Sequence, residues 1–227
     1  GWSHLFGYKG KVLRNIYIPK DDGTTTEIDL LFITCKGIFV IESKNYIGYI
    51  FGTDTNQHWT VCVYKGKGFW GQNKTQKFRF FNPIKQNKFH IKWLKNYLSS
   101  DIEMFSCIVF SDNCELKSID ISSSTATIVC NGSALNHSIR KLWDEYPDTL
   151  GEDQIDELFL KLKSLAKQSA DVKKKHIESI NKKENRIFCP YCGKPLVLRT
   201  ASRGAYAGKQ FYGCSGYPKC RYIKNIG

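Results

Sequence analysis

Two groups of side chains in this sequence have the types and spacing for chemistry. One is Asp29, Glu42 and Lys44 on strand-like apolar stretches; the other is Cys189, Cys192, Cys214 and Cys220 toward the C-terminal end. In Glu27-Ile28-Asp29-Leu30-Leu31-Phe32-Ile33, both alternating faces are apolar beyond Asp29, the pattern of a strand buried on both sides. An aspartate at the entrance of such a strand is costly unless it is paired or faces a cation. The next stretch, Ile38-Phe39-Val40-Ile41-Glu42-Ser43-Lys44, repeats the anomaly at its far end, and its period of two puts Glu42 and Lys44 on one face. A turn at Cys35-Lys36-Gly37 then brings Asp29 beside Glu42 and Lys44. Two carboxylates and an ammonium at one sheet edge suit a hard divalent ion that keeps several waters. The lysine there can stabilise developing negative charge or place an attacking water. The competing reading is a structural salt bridge from Lys44 to either acid.

Cys189 and Cys192 enclose two residues, Cys214 and Cys220 enclose five, and 21 residues separate the pairs. Four soft thiolates so spaced suit a tetrahedral, closed and therefore structural Zn²⁺ site. The module is too short to build much core, so metal binding should supply its folding energy. A disulfide pair is the alternative. The other five cysteines, Cys35, Cys62, Cys107, Cys114 and Cys130, are scattered through apolar stretches as packing thiols are, which argues against a secreted disulfide scaffold.

The elements that must position these residues follow from the pattern. Strands are expected at 11–18, 27–34, 38–43, 48–51 and 59–64, as a continuing antiparallel series with a hairpin turn at Lys65-Gly66-Lys67-Gly68. Asn82-Pro83 ends that series and opens a helix over 84–98. Strands at 105–110 and 126–130, a helix over 134–146 and an amphipathic helix from about 152 complete the first part. On the helix after Pro83, Lys85, Lys88, Lys92 and Lys95 form a stripe that either tracks phosphates or is a plain solvated face. Gln86 and His90, four apart, lie one above the other on a third stripe.

The 227 residues carry 34 Lys and Arg against 21 Asp and Glu, a net charge of +13. Residues 1–150 hold 18 basic and 14 acidic side chains, whereas 151–227 hold 16 and 7, so most of the excess lies in the smaller part. That asymmetry favours an anionic partner, nucleic acid before acidic membrane. Apolar residues at 41% exclude a disordered or collagen-like chain. No apolar run approaches the ~20 residues of a membrane span and no signal peptide is visible, so a cytoplasmic chain is expected. Phosphate-loop, nucleophile-elbow, HExxH and dinucleotide fingerprints are all absent from the sequence.

Asp29 followed by Glu42-Ser43-Lys44 resembles the D…(D/E)xK signature of the restriction-endonuclease-like superfamily. The longer run resembles the NERD (nuclease-related) domain closely: Asn15-Ile16-Tyr17-Ile18-Pro19, Thr25-Thr26-Glu27-Ile28-Asp29, Gly37 through Tyr46, Gly48, Trp59 and Asn82-Pro83-Ile84-Lys85-Gln86. The resemblance implies a phosphodiesterase fold acting on DNA with Mg²⁺ or Mn²⁺, Asp29, Glu42 and Lys44 catalytic, and Gln86 an auxiliary site residue. The superfamily's proline before the aspartate is missing. So is an N-terminal helix with a glutamate, which points to a truncated chain or weaker metal binding.

Cys189 through Arg199 and Gly208 through Arg221 are similar to the zinc ribbons at the C-terminus of type I topoisomerases, which implies a nucleic-acid-binding ribbon favouring single strands. Arg199, Arg203, Lys209, Lys219 and Arg221 interleave there with Tyr206, Phe211, Tyr212, Tyr217 and Tyr222, and base stacking beside phosphate-neutralising cations is how unspecific single-strand binding works. Two or three of those aromatics touch bases in this reading, the others covering the zinc knuckles.

The expectation is therefore an α/β protein: a restriction-endonuclease-like mixed sheet flanked by helices (1–168), a basic linker or helical arm (169–186), and a small four-cysteine zinc ribbon (187–227). DNA is the expected partner, with no membrane. Two rival readings stand beside the nuclease: a non-catalytic DNA-binding adaptor with a degenerate nuclease fold, and a nuclease that works only with a partner such as a helicase.

Overall fold

The computed structural model describes residues 3–5, 7–67, 73–123, 126–166, 196–201 and 208–225. The chain divides into two compact units, 1–168 and 169–227. In chain order the first unit holds β1 (Ser3–Leu5), β2 (Tyr8–Pro19), β3 (Thr25–Thr34), β4 (Gly37–Lys44), β5 (Gly48–Thr53), β6 (His58–Lys67), β7 (Asn73–Phe81), α1 (Pro83–Leu98), β8 (Met104–Phe110), β9 (Cys114–Asp120), β10 (Thr127–Asn131), α2 (Leu135–Glu145) and α3 (Glu152–Ala166). The second holds β11 (Leu196–Thr200), β12 (Gln210–Cys214) and β13 (Ile223–Asn225) as one antiparallel sheet.

The main sheet is mixed and runs β1-β2-β3-β4-β8-β10. β1 to β4 are antiparallel neighbours, and β4-β8 and β8-β10 pair in parallel. β3 and β4 carry apolar side chains on both faces because both faces are covered. Leu31, Ile33, Ile38 and Val40 pack against Leu94 and Leu98 of α1 and Ile155, Phe159 and Leu162 of α3. Phe32, Phe39 and Ile41 pack on the other side with Phe105, Cys107, and Leu135 and Ile139 of α2. The β3–β4 turn depends on Gly37: its φ is +133°, and a Cβ there would lie 2.4 Å from the Glu103 carbonyl oxygen. This turn sets the register Leu30↔Ile41, from which the placing of Asp29 follows.

The expected single antiparallel series is corrected at Lys44. There the chain leaves the main sheet and builds a second one, ordered β7-β6-β5-β9, with β5 and β9 parallel. β7 and β9 were missed because neither alternates cleanly: β7 is Asn-Lys-Thr-Gln-Lys-Phe-Arg-Phe-Phe and β9 is Cys-Glu-Leu-Lys-Ser-Ile-Asp. The expected turn at Lys65 to Gly68 is also corrected. β6 continues through Lys67 with a register shift between Tyr64 and Lys67, and Gly68 lies outside the described residues.

Trp59, fully buried, stacks parallel on Phe110 of β8 with ring centres 6.0 Å apart and joins the second sheet to the first. Asn82 locks the same junction to α1. Its side-chain oxygen accepts from the Ile84 N–H at 3.0 Å, capping the helix, and its Nδ2 donates to the carbonyls of Thr53, Asp54 and Asn56 in the β5–β6 turn. Asn82 is fully buried, so truncation strands several polar groups at once. Asn82→Ala is expected to cost about 3 kcal/mol, a lost cap plus unpaired buried carbonyls, read as a lower denaturation midpoint at unchanged m-value.

Candidate active site and nucleic-acid interface

β3 and β4 deliver Asp29, Glu42 and Lys44 to one end of the main sheet, and the first turns of α1 lay Gln86 over them. Asp29 Oδ2 accepts the Ser43 backbone N–H at 2.8 Å, tying the aspartate to the neighbouring strand. Lys44 Nζ donates to Glu42 Oε1 at 2.6 Å and to Gln86 Oε1 at 3.0 Å, and Gln86 Nε2 donates to the same Glu42 oxygen at 2.8 Å. Three of the four residues singled out in the sequence, Glu42, Lys44 and Gln86, are thus one hydrogen-bonded cluster, and Asp29, held by the Ser43 backbone, feels the charges of Glu42 and Lys44. β2 opens a gap beside it: pairing runs Arg14↔Leu30 and Ile16↔Ile28 but skips Asn15, whose φ is +52°, opposite Asp29. Asparagine tolerates that left-handed conformation better than most residues, and such irregularities recur beside active sites.

Glu42 is almost fully buried. Burial alone would raise its pKa; the approach of His90 and the Lys44 charge outweigh it and hold the carboxyl below its ordinary value. Asp29 goes the other way. Burial first, then the Glu42 charge, raise it above the ordinary carboxylate range against the opposing Ser43 N–H. The Glu42 charge therefore adds negative potential at Asp29. No group of three His, Cys, Asp or Glu side chains among the described residues forms a ready-made metal cage. Two carboxylates nevertheless fit the way Mg²⁺ is usually held, by one or two carboxylates plus substrate phosphates.

On α1, Lys88, Lys92 and Lys95 are exposed, while Lys85 is half-buried and donates to the Thr55 carbonyl at 2.6 Å. Lys85 therefore braces the β5–β6 turn, and the expected phosphate stripe reduces to the other three.

In the second unit, Cys214 at the end of β12 is 2% exposed and Cys220 is half-buried. The Gly216 N–H donates to Cys214 Sγ at 3.2 Å and the Cys220 N–H to the Gly216 carbonyl at 3.0 Å, a tight turn that brings the second thiol back toward the first. Cys189, Cys192, Arg203 and Tyr206 lie outside the described residues. A cavity of about 350 Å³ is lined by Arg199, Phe211, Tyr217, Arg221 and Tyr222, with the Arg199 guanidinium 5.9 Å from the centre of the Tyr217 ring. Tyr212 and Tyr222 pack with Leu196 and Cys214, so Tyr217 and Phe211 are the aromatics left to face a ligand; Lys209, Lys219 and Arg221 are exposed.

Residues 3–111 match the nuclease-related domain (NERD) family, and residues 186–227 match the topoisomerase DNA binding C4 zinc finger. Residues 3–111 are a nuclease-related domain. A Bacillus anthracis protein described only as uncharacterized is 27% identical over 173 residues, 76% of this chain and 74% of its own length. DNA topoisomerase 1 of Methanocaldococcus jannaschii is 48% identical over 50 residues, 22% of this chain but 6% of the topoisomerase, so the likeness is confined to a short segment of each. No solved structure matches the chain. Among the described residues, no helix is long and apolar enough to cross a membrane.

The nuclease-related domain adds residues that the sequence left open or hid. His90 is buried, with Nδ1 2.7 Å from Thr26 Oγ1 and Nε2 3.3 Å from Glu42 Oε2, the latter too poorly aligned for a good hydrogen bond. It belongs to the site's wall, holding the far side of Glu42. Asn87, also buried, donates to the Val40 carbonyl at 2.8 Å and to Ser106 Oγ at 3.0 Å, pinning α1 to β4 and β8. The spacing of four between Gln86 and His90 was the available signal; Asn87, next in sequence to Gln86, carried none. Thr26, 64 positions from His90 in sequence, offered none.

Proposed function

We propose that this chain is a metal-dependent nuclease that hydrolyses DNA phosphodiester bonds, its C-terminal ribbon holding DNA, single strands in preference. The observation that carries the reading is the Asp29–Glu42–Lys44–Gln86 cluster at one sheet edge of a nuclease-related domain. Asp29 and Glu42 are the residues to hold Mg²⁺ or Mn²⁺, which when bound polarises a phosphoryl oxygen and makes a bound water acidic. Lys44 presents its ammonium where negative charge would develop on the phosphate. Gln86 fixes Lys44 and Glu42 relative to each other through both ends of its amide, so the cluster keeps its shape without substrate. His90 and Thr26 keep the inner side of Glu42 dry and oriented. The proposed organisation is a nuclease unit over 1–168, a linker over 169–186 and a ribbon over 187–227 with Zn²⁺ on Cys189, Cys192, Cys214 and Cys220. Tethering the ribbon raises the local concentration of DNA at the site.

One observation favours the non-catalytic adaptor. Glu42 already has Lys44 and Gln86 on one oxygen and His90 beside the other, so this carboxylate is engaged as it stands. Titrating Mg²⁺ and Mn²⁺ against supercoiled plasmid and a labelled single-stranded oligonucleotide separates the two. Metal-dependent cleavage should fall at least 100-fold in Asp29→Asn; equal behaviour of the two chains, or no cleavage by either, leaves the adaptor.

A further inference from the structure

The second sheet has one face it has no evident reason to leave as it is. Ile50, Trp59 and Val61 point inward and are buried, so by strand alternation Tyr49 and Phe51 on β5 and His58, Thr60, Cys62 and Tyr64 on β6 point outward. Directly opposed residues share a face, and the registers Phe51↔Thr60↔Arg79, Tyr49↔Cys62↔Lys77 and His58↔Phe81 extend this face across β7. Four large aromatics stand on it with much of their surface in solvent: Tyr49 at 44%, Phe51 at 37%, Tyr64 at 53% and Phe81 at 45%. Aromatics of this size normally supply core, and a cluster of them left outside marks an interaction surface.

Its charge says what kind. Two successive cross-strand rows each pair a cation at the β7 edge with an aromatic on β5, Arg79 with Phe51 and Lys77 with Tyr49. The rows are about 7 Å apart, two residues of strand rise. Arg79 and Lys77 are exposed, and neither forms an ion pair with a carboxylate of the described residues. The nearby acids are already engaged: Glu115 pairs with Lys117 at 2.5 Å, that lysine lying over the Tyr49 ring, and Asp112 accepts from the Ser133 hydroxyl. A groove of about 520 Å³ at one end of the face is lined by Ile47, Tyr49, Cys62 and Tyr64, with the same Asp112 and Glu115 on its other wall. Regularly repeated cation–aromatic pairs on an open sheet are what a backbone of phosphates with unpaired bases requires, since every base has a face to stack and every phosphate a charge to neutralise. A duplex offers its bases only by their edges, and a protein partner of ordinary chemistry does not call for the repeat.

We infer that the outer face of β5, β6 and β7 is a docking platform for single-stranded DNA, with bases stacking on Tyr49, Phe51 and Tyr64 and phosphates following Lys77 and Arg79. The choice of DNA over RNA rests on the proposed function above; the rest stands on the face itself. Chain order joins the platform to the cluster. β5 begins four residues after Lys44, β7 ends five residues before Gln86, and Asn82 and Lys85 tie the β5–β6 turn to α1. A strand lying on this face is thereby held by the same elements that position Lys44 and Gln86.

The test uses the full chain and a labelled oligo(dT), without added Mg²⁺ or Mn²⁺ so that no hydrolysis enters. Tyr64→Ala, at a residue too exposed to matter for folding, and the double change Tyr49→Ala/Phe51→Ala should each weaken binding about tenfold or more. Lys77→Ala/Arg79→Ala should lower the slope of log affinity against log salt by about 1.4. Photocrosslinking with bromouracil-substituted oligonucleotide should map to β5 or β6. Unchanged affinity in all three variants, or crosslinks confined to Phe211 and Tyr217 of the ribbon, overturns the inference. So does a dimer in sedimentation that these variants dissociate while DNA affinity is kept, or an equal preference for duplex. A chain that binds through this face yet never cleaves defeats the nuclease reading and leaves the platform standing.

Discussion

Glu42→Gln is expected to reduce metal-dependent cleavage by 100- to 1,000-fold or more while the domain stays folded. The argument rests on what the amide can and cannot replace. Glu42 Oε1 accepts from both Lys44 Nζ and Gln86 Nε2, and a carboxamide oxygen accepts from both equally well in geometry. The other terminus becomes an NH₂ group and faces His90 Nε2, 3.3 Å away. In the wild type a carboxylate there calls for a protonated Nε2, with the Thr26 hydroxyl donating to Nδ1. In the variant the imidazole can exchange tautomers, Nδ1–H donating to Thr26 and Nε2 accepting from the new amide. No hydrogen bond of the wild type is lost, so the cost in stability is that of an ion pair weakened to a hydrogen bond, about 1–3 kcal/mol. The charge is what the site loses. One of two carboxylates proposed to hold the divalent ion is neutralised, and Lys44 is left with no charged partner inside the cluster except Asp29. Single-turnover cleavage at saturating Mn²⁺ together with a denaturation curve makes the check. Cleavage within tenfold of wild type, in a folded variant, would remove Glu42 from the metal site.

The legibility of this site in the sequence has a simple physical basis. Asp29, Glu42 and Lys44 were readable because strands buried on both faces have no routine use for charge, so each polar residue there demands a reason. Their meeting needed only a short turn and the period of two, both local. Gln86 was readable only through the NERD resemblance, because nothing in a helix repeat distinguishes a glutamine over a carboxylate from one in water. His90 and Thr26 meet across 64 positions of sequence, and no local pattern reports such a contact. The second sheet was misjudged for a related reason. Strand alternation predicts which residues share a face but not which strand sits next door, and the parallel pairings of β4 with β8 and β5 with β9 depend on segments far along the chain. The exposed aromatics of β5 and β6 were hidden in that error, since in a continuing main sheet they would have been covered by helices.

Removing zinc, or replacing Cys214 by serine, is expected to unfold the second unit and leave the first untouched. The ribbon's described core is small: Leu196 and Cys214 are buried, with Tyr212, Cys220 and Tyr222 packed around them. One buried leucine contributes about 2–3 kcal/mol, whereas ordering the backbone costs about 1–2 kcal/mol for every residue fixed in the three short strands. Packing falls far short, so the module depends on the roughly 10–16 kcal/mol that structural zinc supplies in modules of this size. The geometry around Cys214 suits a thiolate, since the Gly216 N–H already points at its sulfur, and Cys220 returns beside it through the turn. The first unit owes nothing to this metal, because its cores are built from Leu31, Phe32, Phe39, Trp59 and their neighbours. A chelator strong enough to take the ion should therefore erase the dispersed amide signals of β11 and β12 in an NMR spectrum and leave those of β3 and β4 in place. The native chain should carry one zinc per molecule by atomic absorption, and Cys214→Ser none. If the ribbon were instead closed by disulfides, its signals would survive the chelator and vanish under reductant, and that outcome would overturn the zinc assignment.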